Sequence, residues 1–243
     1  MSSMKRGGED RKRGSGTRAA TVRLKTAKGR TVSSQRWLQR QLNDPYVHDA
    51  QRLGVRSRSA FKLQQLDERF KFLTPGQRVV DLGAAPGGWT QVVAARVLGA
   101  SGKGRVVGLD ILEMDPLVGA ELLQADFMSD EGLADLTSLL GGPADLVLSD
   151  MAAPTTGHPQ TDHLRTTALC EAAYDFAESV LSPGGGFVAK VFKGGSEASL
   201  LRRMKRGFTT VRHAKPAASR PESPETYVVA MGFRGSTSND GRH

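Results

Sequence analysis

The most restrictive feature of this 243-residue sequence is a series of short, Val- and Leu-rich segments that alternate with helical segments after residue 77. Buried strands of this kind are typical of a parallel sheet with helices on both faces. The predicted strands are 78–82, 105–110, 121–126, 144–150, 187–192, 209–213 and 226–233, and the predicted helices between them are 87–98, 130–140, 162–181 and 196–206. We therefore predict an α/β fold with a doubly wound, mostly parallel, seven-stranded sheet of the Rossmann-like kind.

Charge divides the chain into regions. Residues 1–40 carry 12 Lys and Arg against 2 Asp and Glu, whereas the other 203 residues carry 22 against 23. Residues 1–32 are also rich in Gly, Ser and Thr, so we expect a disordered basic tail there. A flexible basic arm suits RNA or DNA, and a solubilising tail without a partner is the alternative. The folded domain is expected over 33–235, and a second disordered end over 236–243.

Within the expected domain, three helices should precede the sheet, over 33–42, 45–54 and 60–70. Two segments are basic: 52–71 carries six basic and two acidic residues, and 190–215 carries eight basic and one acidic. If folding brings these two segments together, they form a cationic face suited to nucleic acid.

Composition excludes several classes of protein. Cys170 is the only cysteine, so a disulfide framework is excluded. No apolar run approaches the ~20 residues that a membrane span needs, and the N-terminal residues lack the apolar core of a secretory signal. We expect a cytoplasmic protein. No feature of the sequence requires a dimer, so we expect a monomer, and no Cys/His cluster suggests a metal.

A glycine-rich turn follows the first predicted strand. Its sequence, Asp-Leu-Gly-Ala-Ala-Pro-Gly-Gly-Trp over 81–89, allows backbone N–H groups to approach a ligand closely. The spacing differs from the G-x-G-x-x-G of dinucleotide sites, and a carboxylate would repel a pyrophosphate. S-adenosyl-L-methionine carries an ammonium, a sulfonium and no phosphate, so it tolerates Asp81. The loop therefore predicts this cofactor, with Asp81, Gly83 and Pro86 among its contacts.

Three acids lie at the carboxyl ends of the first three predicted strands. Asp81 lies on the first, Asp110 ends the second and Asp126 ends the third. Each alone could be a helix cap or a surface acid. Together they lie at the carboxyl edge of the sheet, where open α/β folds bind ligands. In such folds an acid placed like Asp110 bonds ribose hydroxyls, and an adenine edge would lie near Asp126.

Lys190 occupies the middle of an apolar strand, Phe-Val-Ala-Lys-Val-Phe. Burial of an unpaired ammonium is costly, so this lysine either snorkels from a sheet edge or has a function. A buried lysine next to another cation can act as a base near neutral pH. Lys62 is a candidate for that cation, although alone it would be taken for a solvated helical lysine. Glu225, at the start of the last strand, would alone be an ordinary exposed acid.

Five motifs occur in order along the chain: Arg56-Ser-Arg-Ser-Ala-Phe-Lys-Leu63, the loop from Val80 to Trp89, Leu148-Ser-Asp-Met-Ala152, Val188-Ala-Lys-Val-Phe192, and Ser219-Arg220 with Glu225-Thr-Tyr227. Together, from Ser34 to Phe233, they resemble the FtsJ/RrmJ (RlmE) family of ribose 2′-O-methyltransferases of bacterial 23S rRNA. The chain departs from the family at Pro154, where members commonly have asparagine, and at Lys193, where related enzymes often have glutamine.

The resemblance implies an S-adenosylmethionine-dependent enzyme that methylates a uridine in the A-loop of the large ribosomal subunit. It places the catalytic set on Lys62, Asp150, Lys190 and Glu225, with Lys190 as proton acceptor. It places cofactor contacts on Gly87, Trp89, Asp110, Asp126 and Asp150. In this scheme Asp150 pairs with Lys190, Lys62 holds the substrate, and Glu225 orients the two lysines.

Three alternatives stay open from the sequence. Relatives methylate tRNA or mRNA caps; aromatic residues make up only 6% of the chain, which disfavours a cap pocket and leaves tRNA as the second choice. A non-enzymatic ribosome-assembly factor would use the fold and the basic arm to bind RNA, but it has no need of a buried lysine. A nucleotide-dependent oxidoreductase is disfavoured by the carboxylate in the glycine-rich loop.

Overall fold

A computed structural model describes residues 31–99, 103–154, 156–192 and 198–235. Apart from Thr31 and Val32, the predicted tail and the predicted C-terminal end lie outside the described residues. The chain divides into two compact units between Pro45 and Tyr46. In the first unit, helix α1 (Val32–Leu42) begins one residue earlier than predicted, because Thr31 Oγ1 accepts a hydrogen bond from the Ser34 N–H at 3.2 Å and so caps the helix.

From Pro45 onward, helices and strands follow each other in the predicted order. The remaining elements are α2 (Pro45–Leu53), α3 (Ser59–Phe70), β1 (Arg78–Leu82), α4 (Gly88–Val97), β2 (Arg105–Asp110), β3 (Glu121–Gln124), α5 (Asp130–Leu140), β4 (Ala144–Ser149), α6 (Pro159–Val180), β5 (Leu181–Phe192), α7 (Ala198–Gly207), β6 (Phe208–Ala214) and β7 (Glu225–Phe233). The start predicted for α7, at 196, lies outside the described residues.

The seven strands form one sheet in the order β3-β2-β1-β4-β5-β7-β6. β7 is antiparallel to β5 and β6, and the other adjacent strands are parallel. This confirms the predicted doubly wound fold. The strand order reverses between β1 and β4, and the crevice at such a reversal is where doubly wound folds bind ligands. The Asp150 N–H donates to the Leu82 carbonyl at 3.2 Å and holds the ends of these two strands together.

A hydrophobic core lies on each face of the sheet. Successive residues of a strand point to opposite faces, and in β1 both Val79 and Val80 are fully buried, one in each core. Helices α3 and α4 contribute Leu63 and Val93 to one core, and α7 contributes Met204 to the other. Among the described residues, none of the helices combines the length and apolarity that crossing a bilayer requires.

The boundary between α6 and β5 was predicted wrongly. The glycine-rich segment after Pro183 was expected to end the helix before a strand at 187, but β5 already begins at Leu181, directly after α6. Leu181 pairs with Ala144 and Gly186 pairs with Leu146. The five-residue step from Leu181 to Gly186 thus spans only two positions of β4, which is a shift in the register of the pairing. At the other edge of the sheet, β3 ends at Gln124, two residues before Asp126 rather than at it.

Candidate active site

The side chain of Lys190 is buried at the carboxyl end of the parallel strands. β5 is an interior strand between β4 and β7, and Lys190 is 8% exposed. Its Nζ donates to the carbonyl oxygen of Asp150 at 2.7 Å and lies 2.9 Å from Asp150 Oδ1. This lysine therefore does not snorkel from a sheet edge, because its ammonium is paired inside the fold.

Glu225 links a second buried lysine to the first. Lys62, on α3, is also 8% exposed, and its Nζ lies 2.7 Å from Glu225 Oε1 and 2.9 Å from Oε2. Lys190 Nζ lies 3.9 Å from Glu225 Oε2, and Ser219 Oγ donates to Oε1 at 2.7 Å. Lys62 is thus not a solvated helical lysine and Glu225 not an exposed acid. The structure brings the four predicted catalytic residues together, and their catalytic roles stay predictions.

The charges of this cluster compensate each other. Burial alone raises the pKa of Glu225, but the positive charges of Lys62 and Lys190, with the hydrogen bonds from Lys62 and Ser219, outweigh it and lower the pKa. Glu225 is therefore ionised at neutral pH and can hold the Lys62 ammonium.

Two aromatic residues, Tyr227 and Trp89, complete the cluster. The role of Tyr227 was not predicted from the sequence. Its hydroxyl donates to Asp150 Oδ1 at 2.8 Å, and its ring centroid lies 5.6 Å from that of Trp89 and 5.9 Å from Lys62 Nζ. Burial, together with the negative charges of Asp150 and Glu225, raises the pKa of this phenol well above its usual value. Tyr227 is therefore a permanent hydrogen-bond donor to Asp150.

A cavity of about 640 Å³ opens beside the cluster, at the carboxyl ends of β1, β2 and β4. This volume suits a small-molecule cofactor. Asp150 both lines the cavity and holds Lys190, so the cofactor site and the buried lysine are adjacent. The cavity is lined by Gly83, Ala85, Leu109, Asp110, Ile111, Leu112, Asp126, Phe127, Met128, Asp150, Met151, Ala152, Ala153, Pro154, Arg165, Ala168 and Leu169.

The polar groups of this cavity fit a nucleoside. Asp110 accepts one backbone hydrogen bond on each carboxylate oxygen, from the N–H of Ala85 and of Leu112, both at 2.9 Å. Since a carboxylate offers about four acceptor sites, Asp110 keeps capacity for ribose hydroxyls. Asp126 Oδ1 accepts from the Met128 N–H at 2.9 Å, which fixes this exposed acid at the rim.

The apolar wall also fits an adenosyl group. Ile111, Leu112 and Met128 line the cavity although each is more than half exposed. A flat heterocycle placed on these side chains would remove their apolar surface from water. S-adenosylmethionine therefore fits the residues present.

The glycine-rich loop contributes to the site in two ways. Gly83 lines the cavity at φ +73°, and a Cβ there would stand 2.7 Å from the side chain of Met151, so the close approach of the loop to the segment after β4 requires glycine. Gly87 caps α4 and is buried against the side chain of Arg56. Pro86 is exposed and is preceded by a cis peptide bond. Pro86, Gly87 and Trp89 are outside the cavity lining, and their contacts with the cofactor stay predictions.

Trp89 and Asp81 are buried and lie outside the cavity lining, and contact of Asp81 with the cofactor also stays a prediction. Trp89 is 2% exposed and its Nε1 donates to the Ser59 carbonyl at 2.9 Å, which joins α4 to α3. Asp81 is fully buried behind the cavity, and Thr90 Oγ1 donates to its Oδ2 at 2.7 Å. Burial raises the pKa of Asp81 to about 7; the charges of Asp150 and Asp110 add to this, and the Thr90 hydrogen bond opposes it.

Fold and site together define an enzyme that is built to hold an adenosyl cofactor beside a buried Lys–Asp pair: an S-adenosylmethionine-dependent methyltransferase. The model of the FtsJ-like methyltransferase family matches residues 55–233. The chain belongs to this family. Its cofactor is S-adenosyl-L-methionine, as the glycine-rich loop and the strand-end acids predicted.

Individual relatives agree with this assignment. The chain is 66% identical over 224 residues to ribosomal RNA large subunit methyltransferase E of Paramagnetospirillum magneticum, covering 91% of this chain and 92% of that protein. It is 59% identical over 239 residues to the protein of that name from Parvibaculum lavamentivorans, with 95% and 94% covered. Among solved structures, one described as a ribosomal RNA methyltransferase of Plasmodium falciparum superposes with a TM-score of 0.66 at 29% identity, over 74% of this chain and 99% of that one.

Proposed function

We propose that this enzyme methylates the ribose 2′-oxygen of a uridine in the A-loop of 23S rRNA, in the large ribosomal subunit. The proposal rests on the position of Asp150, which lines the cofactor cavity and also forms an ion pair with Lys190. A group that can accept a proton thus lies beside the place where a methyl group is supplied. The names of the relatives support large-subunit rRNA as the substrate, and an enzyme with that substrate acts in the cytoplasm.

Lys190 is the proton acceptor in this proposal. When bound, S-adenosylmethionine supplies an electrophilic methyl group. For this step the Lys190 ammonium first gives up one proton to solvent; its two remaining hydrogens donate to the Asp150 carbonyl and carboxylate oxygens, and its lone pair takes the proton of the ribose 2′-hydroxyl. Transfer of that proton to Nζ leaves a more nucleophilic 2′-oxygen. Asp150 thereby fixes the amine and later stabilises the ammonium that forms.

Lys62 and Glu225 position the substrate and the base. Glu225 holds the Lys62 ammonium with both carboxylate oxygens, and Ser219 fixes the carboxylate in turn. The segment that carries Ser219 is bound to α3, since Arg58 donates to the Ala218 carbonyl and Gln65 accepts from the Ala218 N–H. A held ammonium next to Lys190 can bind the oxygens of the ribose or of its phosphate without a metal.

The test is transfer of labelled methyl from S-adenosylmethionine to purified large subunits, free rRNA and tRNA in parallel, followed by mapping of the label. Label on a ribose 2′-oxygen of the A-loop is expected. Label on tRNA alone would overturn the rRNA assignment, and no transfer to any RNA with the cofactor still bound would indicate a non-enzymatic assembly factor.

The role of Lys190 has its own test. Lys190→Ala should lower the rate of transfer by ~10²–10⁴-fold, the usual contribution of a positioned acid or base, and leave cofactor affinity unchanged. Lys103→Ala removes an exposed lysine and should change neither quantity. Loss of cofactor binding in folded Lys190→Ala protein would contradict the role as base.

A further inference from the structure

Helix α7 presents a cationic face that the catalytic cluster does not use. Arg202, Lys205 and Arg206 are exposed and stand three and four residues apart, so they lie on one side of the helix. On the other side Leu200 and Met204 are 1% and 0% exposed in the core. The described helix contains no acidic residue, and within the described residues these three cations form no ion pair. Burial of the apolar side thus fixes the cationic side toward solvent.

The helix is held firmly in this orientation. Arg203, between the exposed cations, lies 2.7 Å from Asp175 Oδ1 and 2.6 Å from Glu178 Oε2, both on α6. Its guanidinium also lies over the ring of Tyr174, at 5.0 Å from the centroid. The charge of Arg203 is therefore balanced by two acids of α6. Within the described residues, the charges of the other three cations are not balanced by an ion pair. Because the helix is already fixed, a partner that binds the other three cations does not have to order the backbone that carries them.

A fourth cation extends this face. Arg234 follows β7, is exposed, and donates its backbone N–H to the Gly207 carbonyl at 2.8 Å. Arg206 and Arg234 line a shared cavity of about 450 Å³, which also contains Phe233 and the paired Arg203 and Glu178. The surface formed by Arg202, Lys205, Arg206 and Arg234 is called the α7 surface below.

The α7 surface lies at the edge of the sheet opposite the catalytic cluster. Glu178, beside it, precedes the first residue of β5 by three positions, and Gly235 lies next to Pro183 at the start of that strand. Lys190 lies nine residues further along β5, but the register shift reduces this to about six strand positions, which corresponds to about 20 Å. Only an RNA that extends well beyond the methylated nucleotide can contact both places.

We propose that the α7 surface binds the phosphate backbone of a second rRNA segment and so selects long or assembled rRNA over short RNA. This inference rests on the proposed function, since it assumes an rRNA substrate. Charge complementarity supports it: four exposed cations on a fixed helix and strand end match a polyanion, and each phosphate contact releases counterions. Arginine is well suited to this role, because its guanidinium donates two parallel hydrogen bonds to a phosphate.

The experiment compares two variants that lose the same charge. Arg202→Gln/Lys205→Gln/Arg206→Gln removes three cations of the α7 surface, and Arg69→Gln/Arg96→Gln/Lys103→Gln removes three exposed cations elsewhere. Each protein is titrated with full-length large-subunit rRNA and with a short A-loop hairpin over a range of salt. The α7 variant should bind the long rRNA roughly 10-fold more weakly, with a log–log salt slope reduced by about 2. Its affinity for the hairpin and for S-adenosylmethionine should be unchanged.

Two results would overturn this inference. An equal loss in both variants would show a general charge effect, and an equal loss for rRNA and hairpin would place the contact near the methylated nucleotide. Failure of the proposed function is distinguishable, because the wild-type protein would then transfer no methyl to rRNA although the binding comparison could still be made.

Discussion

Tyr227 and Lys190 donate to the same oxygen of Asp150, so this carboxylate is positioned from two sides. Tyr227→Phe removes one donor and keeps the ring that packs on Trp89. A hydrogen bond to a charged group contributes ~1.5–3 kcal/mol, so we expect the methyl-transfer rate to fall about 10-fold or more. Single-turnover kinetics measure this. Thr226→Val is the matched control, since Thr226 bonds the Ala214 carbonyl instead; equal rates in the two variants would contradict the prediction.

Asp81 makes the stability of the protein depend on pH. Its folded pKa of about 7 lies above the value of 3.8 for a free side chain, so the folded protein binds the extra proton between these values. Stability from this group is therefore present at low pH and is lost as the pH rises from about 4 to about 7. Asp81→Asn has no carboxyl to ionise at this position, so its stability should not fall for this reason as the pH rises. The variant should gain stability over wild type as the pH rises, by up to about 4 kcal/mol at pH 8.

Urea unfolding of the cofactor-free protein at several pH values measures this difference. Thr90→Val provides a second variant, because it removes the hydrogen bond that favours ionised Asp81. It should extend the loss of stability to higher pH. A stability difference between wild type and Asp81→Asn that stays constant from pH 5 to pH 8 would show that this carboxyl does not titrate there.

At the scale of elements, Arg56 joins the glycine-rich loop to the segment between β2 and β3. Its guanidinium donates to the carbonyls of Asp115 and Pro116 at 2.7 and 2.6 Å, and its side chain crosses Gly87, where a Cβ would stand 2.9 Å away. The same segment carries Ile111 and Leu112 of the cavity wall. Arg56 therefore positions one wall of the cofactor site.

Arg56→Ala should free this wall and weaken S-adenosylmethionine binding by roughly 10-fold, since two charge-assisted hydrogen bonds are lost. Calorimetric titration measures the affinity, and hydrogen exchange over 111–120 reports the order of the segment. Arg56→Lys should recover part of the affinity because it keeps one donor. Arg52→Ala, which removes an exposed arginine bonded to Asp49, should have no effect. Unchanged cofactor affinity in Arg56→Ala would exclude this positioning role.

The sequence predicted elements well where their signal is local. The alternation of apolar strands and helices predicted the sheet, and Asp110 at the end of β2 and Asp126 after β3 identified the edge that holds the cavity. Contacts between distant segments were not accessible in this way: Tyr227 meets Asp150 across 77 positions, and only the antiparallel placement of β7 brings them together. The predicted α6–β5 boundary was wrong because Pro-Gly-Gly-Gly is typical of a loop, whereas in the structure the strand already begins before this segment, where Leu181 pairs with β4.

At the scale of the whole molecule, the structure brings only part of the two basic segments, 52–71 and 190–215, together. Lys62 and Lys190 meet at Glu225, whereas the cations of α7 lie at the opposite edge of the sheet. An extended RNA would therefore contact the protein at separate places. Such binding favours a large substrate, because contacts that are each weak reinforce one another when one molecule makes them all.

We expect the basic N-terminal segment to add a further contact of this kind. Residues 1–30 carry ten Lys and Arg against two Asp and Glu and lie outside the described residues, so the expectation rests on charge alone. Deletion of 1–30 should weaken binding of large-subunit rRNA by at least ~10-fold at low salt and make its salt dependence shallower. Cofactor affinity should not change. Replacement of the ten basic residues by Gln, with the chain length kept, should have the same effect as deletion. If rRNA affinity at low salt is unchanged in both variants, the segment is a solubilising tail rather than an RNA-binding arm.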